Sequence, residues 1–199
     1  MQDLFDAYPQ LKERIDALCE GVPWCVTGAS ALIYDEEDSF YFELTKPKHW
    51  RYREDGAVVV GVGAVGGSIE ADETILHCLH REVQEEIGVK ISLESPPETH
   101  LLYEQETIVP IALQESGYPR PLLFTISKNL YRRHVHPQYP ILAIVTFLAR
   151  LEEAATVEDL FGLLLVPRQR LDDVFVPDDL PGQELKDIPR VRILTHRPL

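Results

Sequence analysis

The sequence predicts an α/β protein on three observations. Runs of apolar, β-branched and aromatic residues recur along the chain, one segment after Asp72 has helical periodicity, and glycines bracket that segment. Strands are expected at 25–34 and 39–45, joined by the acidic turn Asp35-Glu36-Glu37-Asp38, and a third over 57–63. Further strands are expected at 99–108 and 122–127. The apolar run 141–151 has the composition of a buried central strand. Leu165-Val166-Pro167 then leads into Arg168–Leu171 and a helix. At the start, residues 3–20 form an amphipathic helix with Leu4, Leu11, Ile15 and Leu18 on one side. The expected organisation is therefore an N-terminal helix, 1–22, packed on a single domain, 23–199.

The segment after Asp72 carries the chemistry. Leu76, Leu79, Val83 and Ile87 recur at three- and four-residue steps, and Gly88 ends the helix. At about 100° per residue, Glu85 lies about 60° to one side of Glu82 and Glu86 about 40° to the other, so three carboxylates share one face. Like charges so placed repel unless a cation neutralises them, and hard oxygen donors without Cys or His favour Mg²⁺ or Mn²⁺ over zinc. The competing reading is a solvated acidic face laced by pairs such as Arg81 to Glu85. Four glycines within Gly61–Gly67 precede the helix, where backbone must approach closely or turn. Neither a Gly-Lys-Ser/Thr phosphate loop nor a dinucleotide fingerprint follows, so phosphates would be held through a metal rather than on bare helix amides.

As a pattern, residues 67–89 read G-xxxxx-E-xxxxxxx-R-E-U-x-E-E-x-G-U, with U aliphatic. Gly67, Glu73, Arg81, Glu82, Val83, Glu85, Glu86, Gly88 and Val89 fill every fixed position. With each residue type at roughly one in fifteen, seven fixed identities coincide on the order of once in ten to the eighth windows. The stretch resembles the complete Nudix box. The usual proline before the two glycines is replaced by Val65, while Glu70 is kept, and Leu165 stands where the family commonly has tryptophan.

The resemblance covers roughly residues 25–175 and implies an α/β/α sandwich with a mixed β-sheet, the box forming a loop-helix-loop on one side. It implies metal ligation by the Gly66 carbonyl, Glu82, Glu85 and Glu86, joined by Glu158 or Asp159. Arg81 counts with Glu82 and Glu85 in the catalytic group, where it orients the carboxylates. Gly67, Glu70, Glu73 and Gly88 support the site. The water's proton goes to Glu85 or Glu82, or to a distal base such as Glu115 or Glu158. The reaction implied is metal-dependent hydrolysis of the diphosphate in a nucleoside diphosphate linked to another moiety. The alternative is a catalytically silent nucleotide or nucleotide-sugar sensor. Sensors commonly lose box carboxylates and relatives with prenyl diphosphate isomerase chemistry have degenerate boxes, so the intact set favours the hydrolase.

Two clusters have the composition to hold substrate. Lys46, Lys48, Trp50, Arg51 and Arg53 combine cations with an aromatic ring in an otherwise acidic chain. Arg132 and Arg133 lie in the Pro-rich stretch 110–140, long enough for a lid. A net charge of −14 argues against long nucleic acid as partner and is compatible with a small metal-chelated nucleotide. Three scattered cysteines, Cys19, Cys25 and Cys78, read as reduced residues. With no membrane-length apolar run and no signal peptide in the sequence, a cytoplasmic location is expected. Assembly stays open between a monomer and a homodimer joined through the N-terminal helix. The substrate markers of the subfamilies do not match 100–110, where Tyr103 comes too early and Pro110 too late.

Overall fold

The computed structural model describes residues 4–130, 136–176 and 180–195. Along the chain run helices α1 (Leu4–Ala7) and α2 (Pro9–Leu18) and strands β1 (Trp24–Tyr34) and β2 (Ser39–Leu44). The short strands β3 (Arg51–Tyr52), β4 (Val58–Val59), β5 (Val62–Gly63) and β6 (Val65–Ser68) lead to helix α3 (Ile75–Ile87). After it come β7 (Ile91–Glu94), β8 (Thr99–Tyr103), β9 (Thr107–Ile111), β10 (Leu123–Lys128) and β11 (Ile141–Leu151). The chain continues through β12 (Gly162–Pro167), α4 (Leu171–Phe175), α5 (Gly182–Asp187) and β13 (Arg192–Thr195). Mixed sheet with few helices is the α/β class expected.

The chain packs as two interleaved units. The first takes the residues up to Ala31, Gly66–His80 and Leu93–Leu148; the second takes Leu32–Val65, Arg81–Ser92 and Ala149 onward. The boundaries fall within helix α3 and strands β1, β6, β7 and β11.

In the first unit β10 lies between β11, to which it is antiparallel, and β8, to which it is parallel, and β8 pairs antiparallel with β9. Parallel and antiparallel ladders therefore meet on one strand. The expected single strand 99–108 is a hairpin, broken where Glu104 and Gln105 take left-handed φ of 51° and 61°. Two such residues without glycine carry no turn signal in the sequence. The strand at 141–151 is buried along most of its length, with Ala143, Val145, Phe147 and Ala149 fully covered.

The N-terminal stretch folds as two helices, because Pro9 lacks an N–H and has its fixed φ in the first turn of α2. Leu4, Tyr8, Leu11 and Ile15 are buried within the first unit. The Tyr8 hydroxyl donates to the Tyr118 carbonyl at 2.6 Å, and the two rings meet edge to face at 6.5 Å. Tyr8→Phe is expected to lower stability by about 1 kcal/mol in a denaturant melt, the net worth of one buried hydrogen bond.

In the second unit β12 pairs antiparallel with β2 and β13, and β5 adds to β2. Leu44, Leu164, Val166 and Val174 form its core, with Phe42, Phe161 and Leu185 packed against them. The expected strand over 57–63 is split at Val60-Gly61. There Thr45 takes over the ladder, its N–H donating to the Gly61 carbonyl (2.9 Å) and its hydroxyl accepting from the Gly61 N–H (3.0 Å).

Candidate functional site

Helix α3 forms where the apolar period placed it, with Leu79, Val83 and Ile87 at most 1% exposed. The buried stripe begins at Ile75 and Cys78 rather than at Leu76, which is half-buried. Gly88 ends the helix at φ 70°. A Cβ there would lie 2.7 Å from Thr156 Oγ1 and 3.2 Å from Glu158 Cγ. Gly88→Ala is expected to cost about 1–2 kcal/mol, the penalty of a left-handed conformation for a residue with a Cβ, read as a lower melting temperature.

The loop 156–159 closes the helix end. Backbone N–H groups of Thr156, Glu158 and Asp159 donate to the carbonyls of Ile87 (3.1 Å), Glu86 (3.0 Å) and Glu85 (3.3 Å). Three carbonyls that the last turn leaves without helical partners are thereby satisfied. This explains how Glu158 and Asp159, more than seventy positions downstream, stand beside the box glutamates.

The three box carboxylates differ in exposure. The Glu82 side chain is 16% exposed and that of Glu85 is 57% exposed, whereas Glu86 is buried. Arg81 Nη1 donates to Glu82 Oε1 at 2.8 Å and to Glu85 Oε2 at 3.2 Å. One guanidinium thus stands between two carboxylates as their counter-cation. Among the described residues no three His, Cys, Asp or Glu side chains converge closely enough as they stand to hold an ion. The donors still suit a hard divalent cation, since every candidate on this face is a carboxylate oxygen and a cation already bridges two of them.

Glu43 was not singled out by the sequence. On β2 it is flanked in the ladder by Gly63 and Leu163. Burial raises its pKa, the nearby Glu82 charge raises it further and Lys46 opposes both. Phe42-Glu43-Leu44 reads as ordinary alternation in a strand, so only the fold reveals this neighbourhood. Because the folded pKa lies above the unfolded one, ionising Glu43 costs stability as pH rises through the carboxylate range. Glu43→Gln is expected to raise the melting temperature relative to the parent at pH 8, with the gain vanishing near pH 4.

Lys46 Nζ donates to Asp159 Oδ2 at 2.8 Å, and that hydrogen bond is the main cause of the raised Lys46 pKa and lowered Asp159 pKa. Glu86 and Glu43 also act on the ammonium. Lys48, Arg51 and Arg53 are exposed on the segment running into the β3–β4 hairpin. Trp50 is held by two contacts. Its indole N–H donates to the Thr45 carbonyl at 2.7 Å and its ring meets Phe161 edge-on at 4.9 Å. Arg132 and Arg133 lie outside the described residues.

Gly66, Gly67, Glu70 and Glu73 belong to the first unit. At Gly66, with φ 152°, a Cβ would lie 2.3 Å from the Ala29 carbonyl oxygen. Glu73 accepts from the Glu70 N–H at 3.1 Å and pairs with His77 at 3.4 Å, while Cys78 Sγ donates to the Gly67 carbonyl at 3.7 Å. These bonds tie the loop to the first turns of α3. Glu115, a distal-base candidate, is exposed in the first unit.

Residues 26–115 match the family model described as NUDIX domain. None of the curated protein sequences compared matches the chain. Among solved structures it is similar to the MutT protein of Methanosarcina mazei Go1, at 13% identity and TM-score 0.44, covering 80% of this chain and 86% of that one. A NUDIX-family hydrolase from Clostridium perfringens aligns at 14% identity and TM-score 0.44, covering 76% and 85%. A MutT NUDIX hydrolase from Burkholderia pseudomallei aligns at 18% and 0.37, covering 80% and 92%. Likeness this distant transfers neither substrate nor site residues. The complete box between Gly67 and Val89 falls within the matched residues, so the chain carries a NUDIX domain over residues 26–115.

Proposed function

We propose that this protein hydrolyses the diphosphate linkage of a nucleoside diphosphate joined to another moiety, with Mg²⁺ or Mn²⁺ as cofactor. The observation that supports the reading is the set of box carboxylates on α3, two of them sharing one Arg81 guanidinium, in the unit that also holds Lys46. Glu82, Glu85 and Glu86 would hold the cation, with Glu158 or Asp159 beside them at the helix end. A divalent ion there would supply positive charge that offsets the negative charge of the diphosphate oxygens.

The remaining steps belong to the chain. Glu85, the most open of the three carboxylates, accepts the proton of the attacking water. Arg81 holds Glu82 and Glu85 in mutual orientation. Lys46 leaves Asp159 to pair with a phosphate oxygen, and Lys48, Arg51 and Arg53 add positive charge where the net charge would otherwise repel an anionic substrate. The products are a nucleoside monophosphate and a phosphorylated second fragment. The substrate is a small molecule, since net charge of −14 disfavours a long polyphosphate backbone.

The test is product release from ADP-ribose, nucleotide sugars, dinucleoside polyphosphates, canonical and oxidised nucleoside triphosphates and NADH, with and without Mg²⁺ or Mn²⁺. Metal-dependent turnover of one class is expected. Binding of a nucleotide without turnover of any would replace the hydrolase reading by that of a sensor.

A further inference from the structure

The first unit contains a cavity of about 650 Å³ that the hydrolytic reading does not use. Its size falls in the range of small-molecule sites. Its lining includes Phe5, Lys12, Asp16, Trp24 and Tyr118, all of them outside the stretch matching the family. The box segment also lines it, through Ile69, Glu73 and Thr74.

Two features of the walls define what they would take. Three aromatic side chains line the space, with Phe5 held edge-on against Trp24 at 5.5 Å. Among them is a polar pair of opposite character. Asp16 accepts from Trp24 Nε1 at 2.7 Å through one carboxylate oxygen and from Lys12 Nζ at 2.7 Å through the other. A carboxylate offers about four lone-pair sites and an ammonium three donors, so acceptor and donor capacity remains side by side. Those two bonds also hold the Asp16 pKa below its ordinary value, which keeps the acceptor ionised.

We propose that this cavity binds a nucleobase, its ring against the aromatic side chains of the lining and its hydrogen-bonding edge on Asp16 and Lys12. Each nucleobase presents an N–H donor next to a carbonyl or ring-nitrogen acceptor, the complement of a carboxylate beside an ammonium. Stacking is tolerant of base identity, and the edge contact supplies orientation. The site is distinct from the carboxylate face of α3, and its occupancy does not depend on a metal.

The test titrates adenosine, guanosine, cytidine and uridine into the full chain carrying Trp50→Phe, so that Trp24 is the fluorescent reporter, with a chelator present. Nucleosides lack the diphosphate, so the result is independent of hydrolysis. Saturable quenching by at least one nucleoside, none by ribose, and affinity about ten-fold weaker in Asp16→Asn are expected. Asp16→Asn keeps a side-chain acceptor for the Trp24 indole, and an unchanged circular dichroism spectrum certifies its fold. Each nucleoside 5′-monophosphate is run alongside. Equal affinity assigns the pocket to a free base or nucleoside, tighter binding to the base of a nucleotide, and both uphold base recognition. No saturable quenching by any of the four, quenching by ribose alone, or an unchanged affinity in Asp16→Asn would overturn it.

Discussion

Glu85→Gln is expected to lower metal-dependent turnover by roughly 100- to 10,000-fold, the range attributed to a positioned general base. The substitution keeps the side chain's size and its hydrogen bond to Arg81, because an amide oxygen also accepts. It removes the charge and the proton affinity. Glu85 is 57% exposed, so the melting temperature should stay close to that of the parent. Steady-state kinetics would show the loss in kcat, with little change in KM. A variant retaining more than a tenth of parental kcat would remove Glu85 from the proton-transfer step and turn attention to Glu82 or Glu158.

Gly66→Ala is expected to produce the largest loss of stability from a single methyl. The added carbon would meet the Ala29 carbonyl oxygen at 2.3 Å, Ser30 Cα at 2.5 Å and Ser30 Cβ at 2.8 Å. The first two are backbone atoms of β1, with which β6 is paired, so they cannot move aside without breaking that ladder. At φ 152° the backbone also lies where L side chains are rarely found. A loss of about 3 kcal/mol or more follows, equivalent to roughly 6–12 °C in Tm for a chain of this size. Gly63→Ala is the control, because a Cβ there meets nothing within 4 Å. It should change stability by less than about 0.5 kcal/mol. Equal melting of the two variants would mean that β6 does not approach β1 as described.

These two positions also mark what could be read from the sequence. Helix α3 was legible because one period of apolar residues and one terminating glycine give a single solution, and Arg81, Glu82, Glu85 and Glu86 of the box all lie on it. Strand 141–151 was legible from its continuous apolar run, although its faces differ, with Ala143, Val145, Phe147 and Ala149 covered and Ile144 45% exposed. The break at Pro9 was legible in principle, since proline in a helix interior costs about 3 kcal/mol, yet the apolar spacing across it reads as one helix.

Other features need the fold. The Glu104-Gln105 turn is invisible because neither residue is a habitual left-handed turn former. Glu43 sits in an unremarkable strand, and nothing in Phe42-Glu43-Leu44 reveals that burial and the Glu82 charge act on its carboxyl. The composition of 46–53 does not reveal that Trp50 packs against Phe161 and donates to the Thr45 carbonyl. The family resemblance points to Glu158 or Asp159, but the reason they stand at the helix end is the amide cap on Glu85 and Glu86, a backbone contact that no residue type announces.

In the proposed reaction water attacks phosphorus while the box carboxylates hold the cation and take the proton. The most direct measurement is to run the nucleotide panel in 18O-labelled water with Mg²⁺ and to find the label by mass spectrometry. One heavy oxygen in a single phosphoryl product, lost when the metal is chelated and in Glu85→Gln, is the predicted result. Label in a product carrying no phosphate, or equal turnover after chelation, would contradict it.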